Sequence, residues 1–262
     1  MKKLLLLLLC VPLLGFTPNS SSTMNNSHNT AGDVWVLVIS KGSGYYNQEW
    51  KTRSYFPKDG IEEGWDDGKS ITSLTYGDGV WALVMSKGSG YYSQSWRTQS
   101  SFPEYKIKEG WDDGKSITSL TYGDGVWALV MSKGSGYYSQ SWRTQSSFPE
   151  YKIKEGWDDG KSITSLTYGN GVWALVMSKG SGYYNQEWKT RRNFPKNEIE
   201  EGWDDGKSIT SLTYGDGVWA LVMSKGSEYH SQSWRTQSSF PEDKIKEGWD
   251  DGKSILFISS GY

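Results

Sequence analysis

A repeated cluster of polar and aromatic side chains is the first feature of the sequence that could do chemistry. In the stretch YYSQSWRT, residues 91–98, an amide (Gln94) and a guanidinium (Arg97) flank an indole (Trp96). An aromatic face can stack on a sugar ring while neighbouring donors bind its hydroxyls, because small-ligand sites combine an apolar platform with a few placed polar groups. The candidate ligand-binding residues are Tyr91, Gln94 and Arg97, with their equivalents Tyr137, Gln140 and Arg143.

The alternation of this stretch predicts which of its side chains face solvent. Successive residues of a strand lie on opposite faces, so Tyr91 and Arg97 lie on the face opposite Trp96. A tryptophan that recurs at one position of every copy is typical of a core, and this structural role for Trp96 stays open beside the sugar-binding one. Tyr91 and Arg97 are therefore the residues expected to be exposed.

Two further motifs are better explained by turns than by ligands. The run Asp66–Ser70 resembles the end of a phosphate-binding loop, but only three residues separate Gly64 from Gly68, where the loop requires four. The paired aspartates recur in every copy without the spacing of an EF-hand calcium loop. Because Asp and Gly favour tight turns, we expect no metal ion and no cofactor.

Little in the sequence indicates catalysis. His230 is the one histidine of the repeated region, and Glu228 replaces a glycine found at this position of the other copies. A general base made from this pair is the alternative to drift in the last copy. No Ser-His-Asp arrangement can be assembled from the sequence. The prediction is that the chain is not an enzyme.

Everything from residue 32 onward is repeat, and the repeat must position these side chains. The 15 tryptophans form three series with a spacing of 46 residues, and residues 64–109 are identical to residues 110–155. A fixed period of this length is typical of a solenoid, a propeller or an array.

Each unit contains three predicted strands and one segment that is either a short helix or an outer strand. Residues 70–76 end at an Asp-Gly turn, residues 80–86 are apolar on both faces, and residues 91–98 alternate. Lys87 to Gly90 would form a second turn. For residues 102–114 we favour a helix or irregular segment, since a proline suits a first helical turn. The gradient from small to apolar to amphipathic strands suits a propeller blade from axis to rim.

The two ends of the chain carry complementary parts of one unit. The first copy begins at Gly32 and lacks the SITSLTY strand, whereas Ser254–Ile258 supply that strand and almost nothing after it. A closed ring explains both ends, because the last strand then pairs beside the strand of Trp35 and no sheet edge is exposed. The predicted fold is all-β, a five-bladed β-propeller over residues 32–262 that a C-terminal strand closes. An open β-array is the alternative.

The N-terminal residues and the charge predict a compartment and exclude some partners. Residues 1–17 have two lysines and an apolar run, the pattern of a signal peptide, and residues 18–31 form a polar linker. An uncleaved anchor is the alternative, although the run is too short to span a bilayer. Removing residues 1–17 leaves 26 basic and 30 acidic residues, which argues against nucleic acid as a partner. We expect a secreted, periplasmic or cell-surface protein with no membrane span after signal removal.

The repeat resembles an uncharacterised repeat family. The resemblance covers residues 32–262 and is carried by Phe102, Pro103, Ile107, Trp111, Gly114, Ile117, Thr118, Leu120, Tyr122, Gly123, Gly125, Trp127, Ser132, Lys133, Gly134, Tyr137 and Gln140. Members of that family include secreted bacterial proteins and C-terminal regions of casein-kinase-like eukaryotic proteins. The resemblance implies a repeat domain and no chemistry, and the chain has no protein-kinase motif. The layout is also similar to that of five-bladed lectin propellers, a likeness of architecture that does not fix function.

Together these features predict a multivalent binding or adhesion module whose partners are glycans or surface proteins. Repeated sites gain avidity when the ligand is itself repetitive. The binding module, with carbohydrate as a candidate ligand, is the preferred hypothesis because 15% of the residues are aromatic and the copies are nearly identical. A structural or protein-interaction scaffold is the alternative, and a propeller enzyme is the third hypothesis.

Overall fold

The structure of the protein is a computed structural model that describes residues 34–261. The predicted signal peptide (residues 1–17) and linker (residues 18–31) lie outside the described residues and stay predictions. The strands are β1 Val34–Lys41, β2 Tyr46–Arg53, β3 Ser70–Gly77, β4 Val80–Lys87, β5 Tyr92–Gln99, β6 Ser116–Gly123, β7 Val126–Lys133, β8 Tyr138–Gln145, β9 Ser162–Gly169, β10 Val172–Lys179, β11 Tyr184–Arg191, β12 Ser208–Gly215, β13 Val218–Lys225, β14 His230–Gln237 and β15 Ser254–Gly261. The helices are α1 Lys58–Asp66, α2 Glu104–Asp112, α3 Glu150–Asp158, α4 Lys196–Asp204 and α5 Glu242–Asp250.

The strands form five three-stranded antiparallel sheets, which are the blades of a five-bladed β-propeller. From rim to axis, blade I is β2-β4-β3, blade II is β5-β7-β6, blade III is β8-β10-β9, blade IV is β11-β13-β12 and blade V is β14-β1-β15. The inner strands contact one another in a closed cycle, β3, β6, β9, β12, β15 and back to β3. The predicted fold class is therefore confirmed.

Blade V closes the ring with strands from both ends of the chain. Its middle strand β1 pairs with β15 on one edge, where Leu37 lies opposite Ile258, and with β14 on the other, where Leu37 lies opposite Arg235. The backbone N–H of Ile258 also donates to Ser73 Oγ of blade I at 3.1 Å. The predicted pairing of the C-terminal segment beside the strand of Trp35 is confirmed, and the open array is wrong.

The outer strand of each unit belongs to the next blade, which corrects the prediction of a second turn within the unit. Strand β5 pairs with β7 and not with β4, because β2 of the preceding unit already occupies that edge of β4. Lys87–Gly90 therefore carries the chain from one blade to the next. Gly88 has φ 82°, and a Cβ on it would lie 2.1 Å from the carbonyl oxygen of Gly44. Only glycine fits this crossing.

The middle strands are buried on both faces, as predicted, and each face packs into a different cluster. In β4, Trp81, Leu83 and Met85 pack against the helix and inner strand of blade I, whereas Ala82 and Val84 pack into the cluster of blade V. A single blade would leave one of these apolar faces in water, so the repeat hides its apolar surface only against neighbours.

A phenylalanine before each helix joins the tryptophans of two adjacent blades. The ring of Phe56 lies 5.4 Å from that of Trp81 in its own blade and 4.8 Å from that of Trp96 in blade II. Such pairs contribute about 0.5–1.5 kcal/mol beyond their burial. Trp96 therefore has the packing role that the sequence left open. The same arrangement recurs at Phe102, Phe148, Phe194 and Phe240.

The segment between the outer and inner strands is a nine-residue helix, which decides between the two predicted alternatives. Helix α2 begins directly after Pro103, whose fixed φ suits the start of a helix. Ile107, on this helix, is fully buried. Gly114, at φ 71°, follows the helix in the left-handed conformation that ends many helices. None of the helices within residues 34–261 is long and apolar enough to cross a membrane.

Replacing Glu228 with glycine should stabilise the propeller. Glu228 has φ 60° at a position where the four other copies have a glycine at φ 74–76°. A left-handed backbone costs a non-glycine residue about 1–2 kcal/mol, and the greater entropy that glycine loses on folding offsets part of the gain. We expect Glu228→Gly to raise the free energy of unfolding by about 0.5–1 kcal/mol in urea denaturation. Gly90→Glu is the matched reverse change and should lower it; two unchanged midpoints would refute the strain.

Candidate functional site

The predicted ligand-binding residues lie in three different surroundings. Tyr91 lines the central channel, Gln94 lies at the interface between blades I and II, and Arg97 is exposed at the rim. One blade further on, the same places are taken by Tyr137, Gln140 and Arg143. The fold therefore does not gather these residues into one site, and each surrounding is a separate candidate.

A β-bulge at the start of the outer strand separates Tyr91 from Arg97. The pairing of β5 with β7 slips by one residue between Tyr92 and Ser95, and Ser93 has φ 49°. The extra residue breaks the predicted alternation. Tyr92 is consequently 63% exposed, whereas Tyr91, which was expected to be exposed, is only half-exposed. Arg97, beyond the bulge, is exposed as expected.

Gln94 joins blades I and II with every hydrogen-bonding group of its amide. Its Oε1 accepts from the backbone N–H of Ile71 at 2.7 Å and from the indole N–H of Trp65 at 3.2 Å. Its Nε2 donates to the carbonyl oxygen of Ile71 at 3.1 Å and to Ser132 Oγ at 2.9 Å. The amide has two donors and two acceptor positions, so none is left for a ligand. The same pair of bonds to a neighbouring isoleucine is made by Gln48, Gln140, Gln186 and Gln232.

Arg97 lines a cavity at the rim between the outer strand and the helix of blade II. The cavity measures about 340 Å³, and blade III contains an equivalent one of about 360 Å³ around Arg143. The wall carries charges of both signs, which favours a polar ligand over an apolar one. The side chains around Arg97 include Ser95, Trp96, Lys106, Glu109, Asp112, Asp113 and Lys115.

A second kind of cavity lies between neighbouring blades, where the bulge turns a tyrosine outward. The cleft between blades V and I measures about 360 Å³ and is lined by Tyr46, Asn47, Gln48, Trp249, Gly252, Lys253 and Ser254. Tyr46 is 60% exposed, and the indole N–H of Trp249 donates to Gln48 Oε1 at 3.2 Å. This indole–glutamine bond recurs at all five interfaces. Between blades IV and V, an equivalent cleft of about 360 Å³ has His230 in place of the tyrosine.

Sequence reasoning missed the outward tyrosines of these interfaces. The residue after each of these tyrosines, and after His230, has a left-handed backbone, with φ between 48° and 52° in every copy. The identity of that residue is the sequence signal that could have found them. In two copies this residue is Asn47 or Asn185, and asparagine is enriched in the left-handed region. The exposed tyrosines, at 60–63%, are Tyr46, Tyr92, Tyr138 and Tyr184.

Nine tyrosines line the central channel, a cavity of about 240 Å³ that serines, threonines and leucines of the inner strands also line. Five of these tyrosines precede the outer strands. Burial away from bulk water raises the pKa of each of these five phenols above its ordinary value. These phenols are therefore uncharged at physiological pH, and the channel is lined by uncharged residues, hydroxyl-bearing and apolar. The five are Tyr45, Tyr91, Tyr137, Tyr183 and Tyr229.

The aspartate pairs and the histidine form no assembled reactive site in the described part of the chain. No group of three or more His, Cys, Asp and Glu side chains within residues 34–261 could hold a metal ion. Gly68, at φ 71°, ends α1, and the chain then enters β3 rather than a helix. His230 is exposed, and its Nδ1 lies 3.4 Å from the backbone oxygen of Glu228 rather than from a carboxylate.

Comparison with known proteins finds one family. A family model described as a domain of unknown function (DUF7477) matches residues 20–170 and 166–261. The two matched segments together cover the repeated region, as expected of an uncharacterised repeat family. No curated protein and no solved structure matches the chain.

The channel tyrosines should make the propeller sensitive to alkaline pH. Their pKa is raised in the folded protein, whereas in the unfolded chain a phenol ionises near pH 10. Above about pH 10 the unfolded state therefore binds fewer protons than the folded state, and stability falls as pH rises. In a spectrophotometric titration, five of the 17 tyrosines should ionise only as the protein unfolds. Tyr91→Phe should remove one late-ionising group; a late step of unchanged amplitude in this variant would contradict the prediction.

Removing the amide of Gln94 should weaken the interface between blades I and II. Gln94→Ala leaves the N–H and C=O of Ile71 without their partner, and each unsatisfied buried group costs about 1–3 kcal/mol. We expect a loss of about 2–4 kcal/mol in the free energy of unfolding. The control is Gln99→Ala, whose amide, within the described part of the chain, bonds to Ser101 and Phe102 nearby in sequence. Equal losses for the two variants would show that Gln94 has no special role.

Proposed function

The chain belongs to the family of the domain of unknown function DUF7477, and we propose that it is a secreted, non-catalytic protein that binds carbohydrate at several places on one ring. The observation that carries this proposal is the cleft between blades, in which an outward tyrosine and a half-buried indole frame a small cavity. The same interface recurs around the propeller with only one aromatic replacement, His230.

The size and lining of the cleft suit a single sugar unit. Its volume of about 360 Å³ lies at the lower end of the range for small-molecule sites, about 300–1,000 Å³. The exposed ring of Tyr46 offers an apolar face for stacking. Asn47, Lys253 and Ser254 supply polar groups beside it. An aromatic platform with a few polar groups is the arrangement that small-ligand recognition requires.

Repetition turns a weak site into a strong binder of repetitive ligands. A single small cleft gives modest affinity, because little area is buried on the ligand. Several equivalent clefts on one rigid ring can engage one polymer or a surface together, and avidity then exceeds the single-site affinity by about 10²–10⁴. The rigid ring fixes the spacing of the sites, so the arrangement of sugars on the target determines which surfaces are bound.

A protein partner is the second candidate, and the helices of blades II and III favour it. Tyr105 and Tyr151 are each 68% exposed on the outer helices. A lysine ammonium lies 5.2 Å from the centre of each ring, at Lys106 and Lys152. Tyrosine is enriched at protein interfaces. A partner of this kind would contact the rim and not the clefts.

Truncating the cleft tyrosines should abolish binding to glycans. The full chain without residues 1–17 is labelled and applied to an array of cell-surface glycans, and the best ligand is then titrated against the variant Tyr46→Ala/Tyr92→Ala/Tyr138→Ala/Tyr184→Ala. Because each platform is removed, we expect avidity to fall by at least about 10². The free energy of unfolding of this variant should stay within about 1 kcal/mol of the wild-type value, since these rings are exposed.

The matched control removes equally exposed tyrosines from the rim. Tyr105→Ala/Tyr151→Ala should leave glycan binding unchanged. If this variant and not the cleft variant loses binding, the rim is the interface and the protein-partner candidate replaces the lectin one. An array on which the wild-type chain binds no glycan refutes carbohydrate binding.

A further inference from the structure

The five blades are of two kinds, which differ at one position of the outer strand. Blades I and IV have a glutamate there, Glu49 and Glu187, and the three other blades have a serine at Ser95, Ser141 and Ser233. This position faces the lysine that follows each Asp-Asp-Gly turn. The chain therefore contains its own comparison of the same surroundings with and without a carboxylate.

In the glutamate blades, the lysine is neutralised by the strand. Lys69 Nζ lies 2.7 Å from Glu49 Oε2, and Lys207 Nζ lies 2.9 Å from Glu187 Oε2. The side chains of both lysines are only 7% exposed. A nearly buried ammonium requires an anion close to it, and the glutamate supplies that anion.

In the serine blades, the same lysine has no anion at this place. Lys115 donates to Ser95 Oγ at 3.1 Å, and Lys253 donates to Ser233 Oγ at 2.9 Å. The third lysine, Lys161, donates to Ser141 Oγ at 3.2 Å. Within residues 34–261 the one carboxylate within ion-pair distance of the three lysines is Asp159, which lies 3.8 Å from Lys161. Serine is shorter than glutamate, and the rim cavities of about 340 and 360 Å³ lie in these blades beside Ser95 and Ser141.

Two of the three cations around the cavity of blade II form no ion pair within the described residues. Lys106 is paired with Glu109 at 2.7 Å, so these two groups neutralise each other. Asp112 and Asp113, at the end of the helix, are exposed to water. Arg97 forms no ion pair within the described residues, and its one hydrogen bond there goes to the carbonyl oxygen of Trp96. Lys115 and Arg97 therefore line the cavity with no carboxylate of the described residues within ion-pair distance, although Asp112 and Asp113 line the same cavity.

We propose that each serine blade binds a small carboxylate ligand where the glutamate blades have their own carboxylate. The ligand carboxylate accepts from the ammonium of Lys115 and from Ser95 Oγ, and the guanidinium of Arg97 supplies further donors. Charge-assisted hydrogen bonds of this kind are stronger than neutral ones. The ring then has three acid-binding sites, in blades II, III and V. In blades II and III this site is separate from the inter-blade clefts, whereas in blade V its Lys253 also lines the cleft between blades V and I. The proposal rests on the carboxylate and not on the cleft tyrosines.

The test compares small ligands that differ in their carboxylate. The chain without residues 1–17 is titrated by NMR with D-glucuronate, N-acetyl-L-glutamate and the neutral control D-glucose. We expect both acids to bind with millimolar affinity, as befits one small anion at a partly exposed site, and glucose not to perturb the same signals. A preference between the two acids identifies an acidic sugar or an acidic side chain as the source of the carboxylate.

Two variants exchange the blade types. Ser95→Glu/Ser141→Glu/Ser233→Glu should weaken carboxylate binding by at least about tenfold, because an internal carboxylate then occupies each site as Glu49 does. Glu49→Ser/Glu187→Ser should raise the number of sites from three to five. Ser100→Glu/Ser146→Glu/Ser238→Glu adds the same charge at exposed loop positions and should have little effect. Melting curves confirm that each variant folds.

Three results would overturn the proposal. The first is wild-type protein that binds neither acid at up to about 50 mM, a concentration that detects even very weak sites. The second is carboxylate binding that the three Ser→Glu changes at the rim leave intact. The third is glucose binding at the rim as well as glucuronate does. Loss of neutral-sugar binding in the cleft-tyrosine variant concerns the proposed function alone, so the two ideas fail separately.

Discussion

The propeller depends on one side-chain amide at each interface between blades. Gln94 bonds to both the N–H and the C=O of Ile71 in the neighbouring blade, and so takes the place that a paired strand would have there. Blades of a propeller otherwise touch through apolar surface, which is non-directional. The amide adds direction, because four hydrogen bonds can be satisfied together only in one relative position of the two blades. With five such amides and strands from both chain ends in blade V, the ring has a single closed geometry.

The bulge that aims this glutamine inward also creates the surfaces on which function is proposed. Inserting one residue at Ser93 re-aims the side chains on either side of it. Gln94 then reaches the neighbouring blade, Tyr91 turns to the channel and Tyr92 turns to solvent. Structure and candidate recognition are therefore coupled at one backbone feature, and a change at the bulge would alter both. Arg97 lies beyond the bulge, and its hydrogen bond within the described residues goes to Trp96 of its own strand and not to the neighbouring blade.

Much of the fold could be predicted from the sequence, and the rest depends on contacts that period and alternation do not encode. Spacing of the tryptophans gave five units, and the incomplete ends gave closure beside Trp35. The blade to which β5 belongs could not be predicted in this way. The outer edge of β4 could pair locally with either β2 or β5, and closure of the whole ring determines that β2 takes it. The exposure of Tyr91 was mispredicted because strict alternation assumes no bulge. Gln94 was predicted to be a ligand donor. The local sequence around a glutamine is the same whether its side chain faces the rim or bridges two blades.

The two blade types show that the ring is fivefold in its scaffold and not in its surface. The glutamine, the crossing glycine and the middle-strand tryptophan recur in all five copies, because each interface must be the same for the ring to close. Around these residues, the order of the charged pair on each helix varies together with the glutamate or serine of the outer strand. Helix α1 pairs Lys58 with Glu62 at 3.7 Å, whereas α3 pairs Glu150 with Lys154 at 2.8 Å, in the reverse order that the helix dipole favours. Blade IV follows α1 and blades II and V follow α3, in step with the glutamate or serine of the outer strand. Because closure constrains only the interfaces, the rim can carry two chemistries on one frame, and an asymmetric surface needs no departure from the symmetric fold.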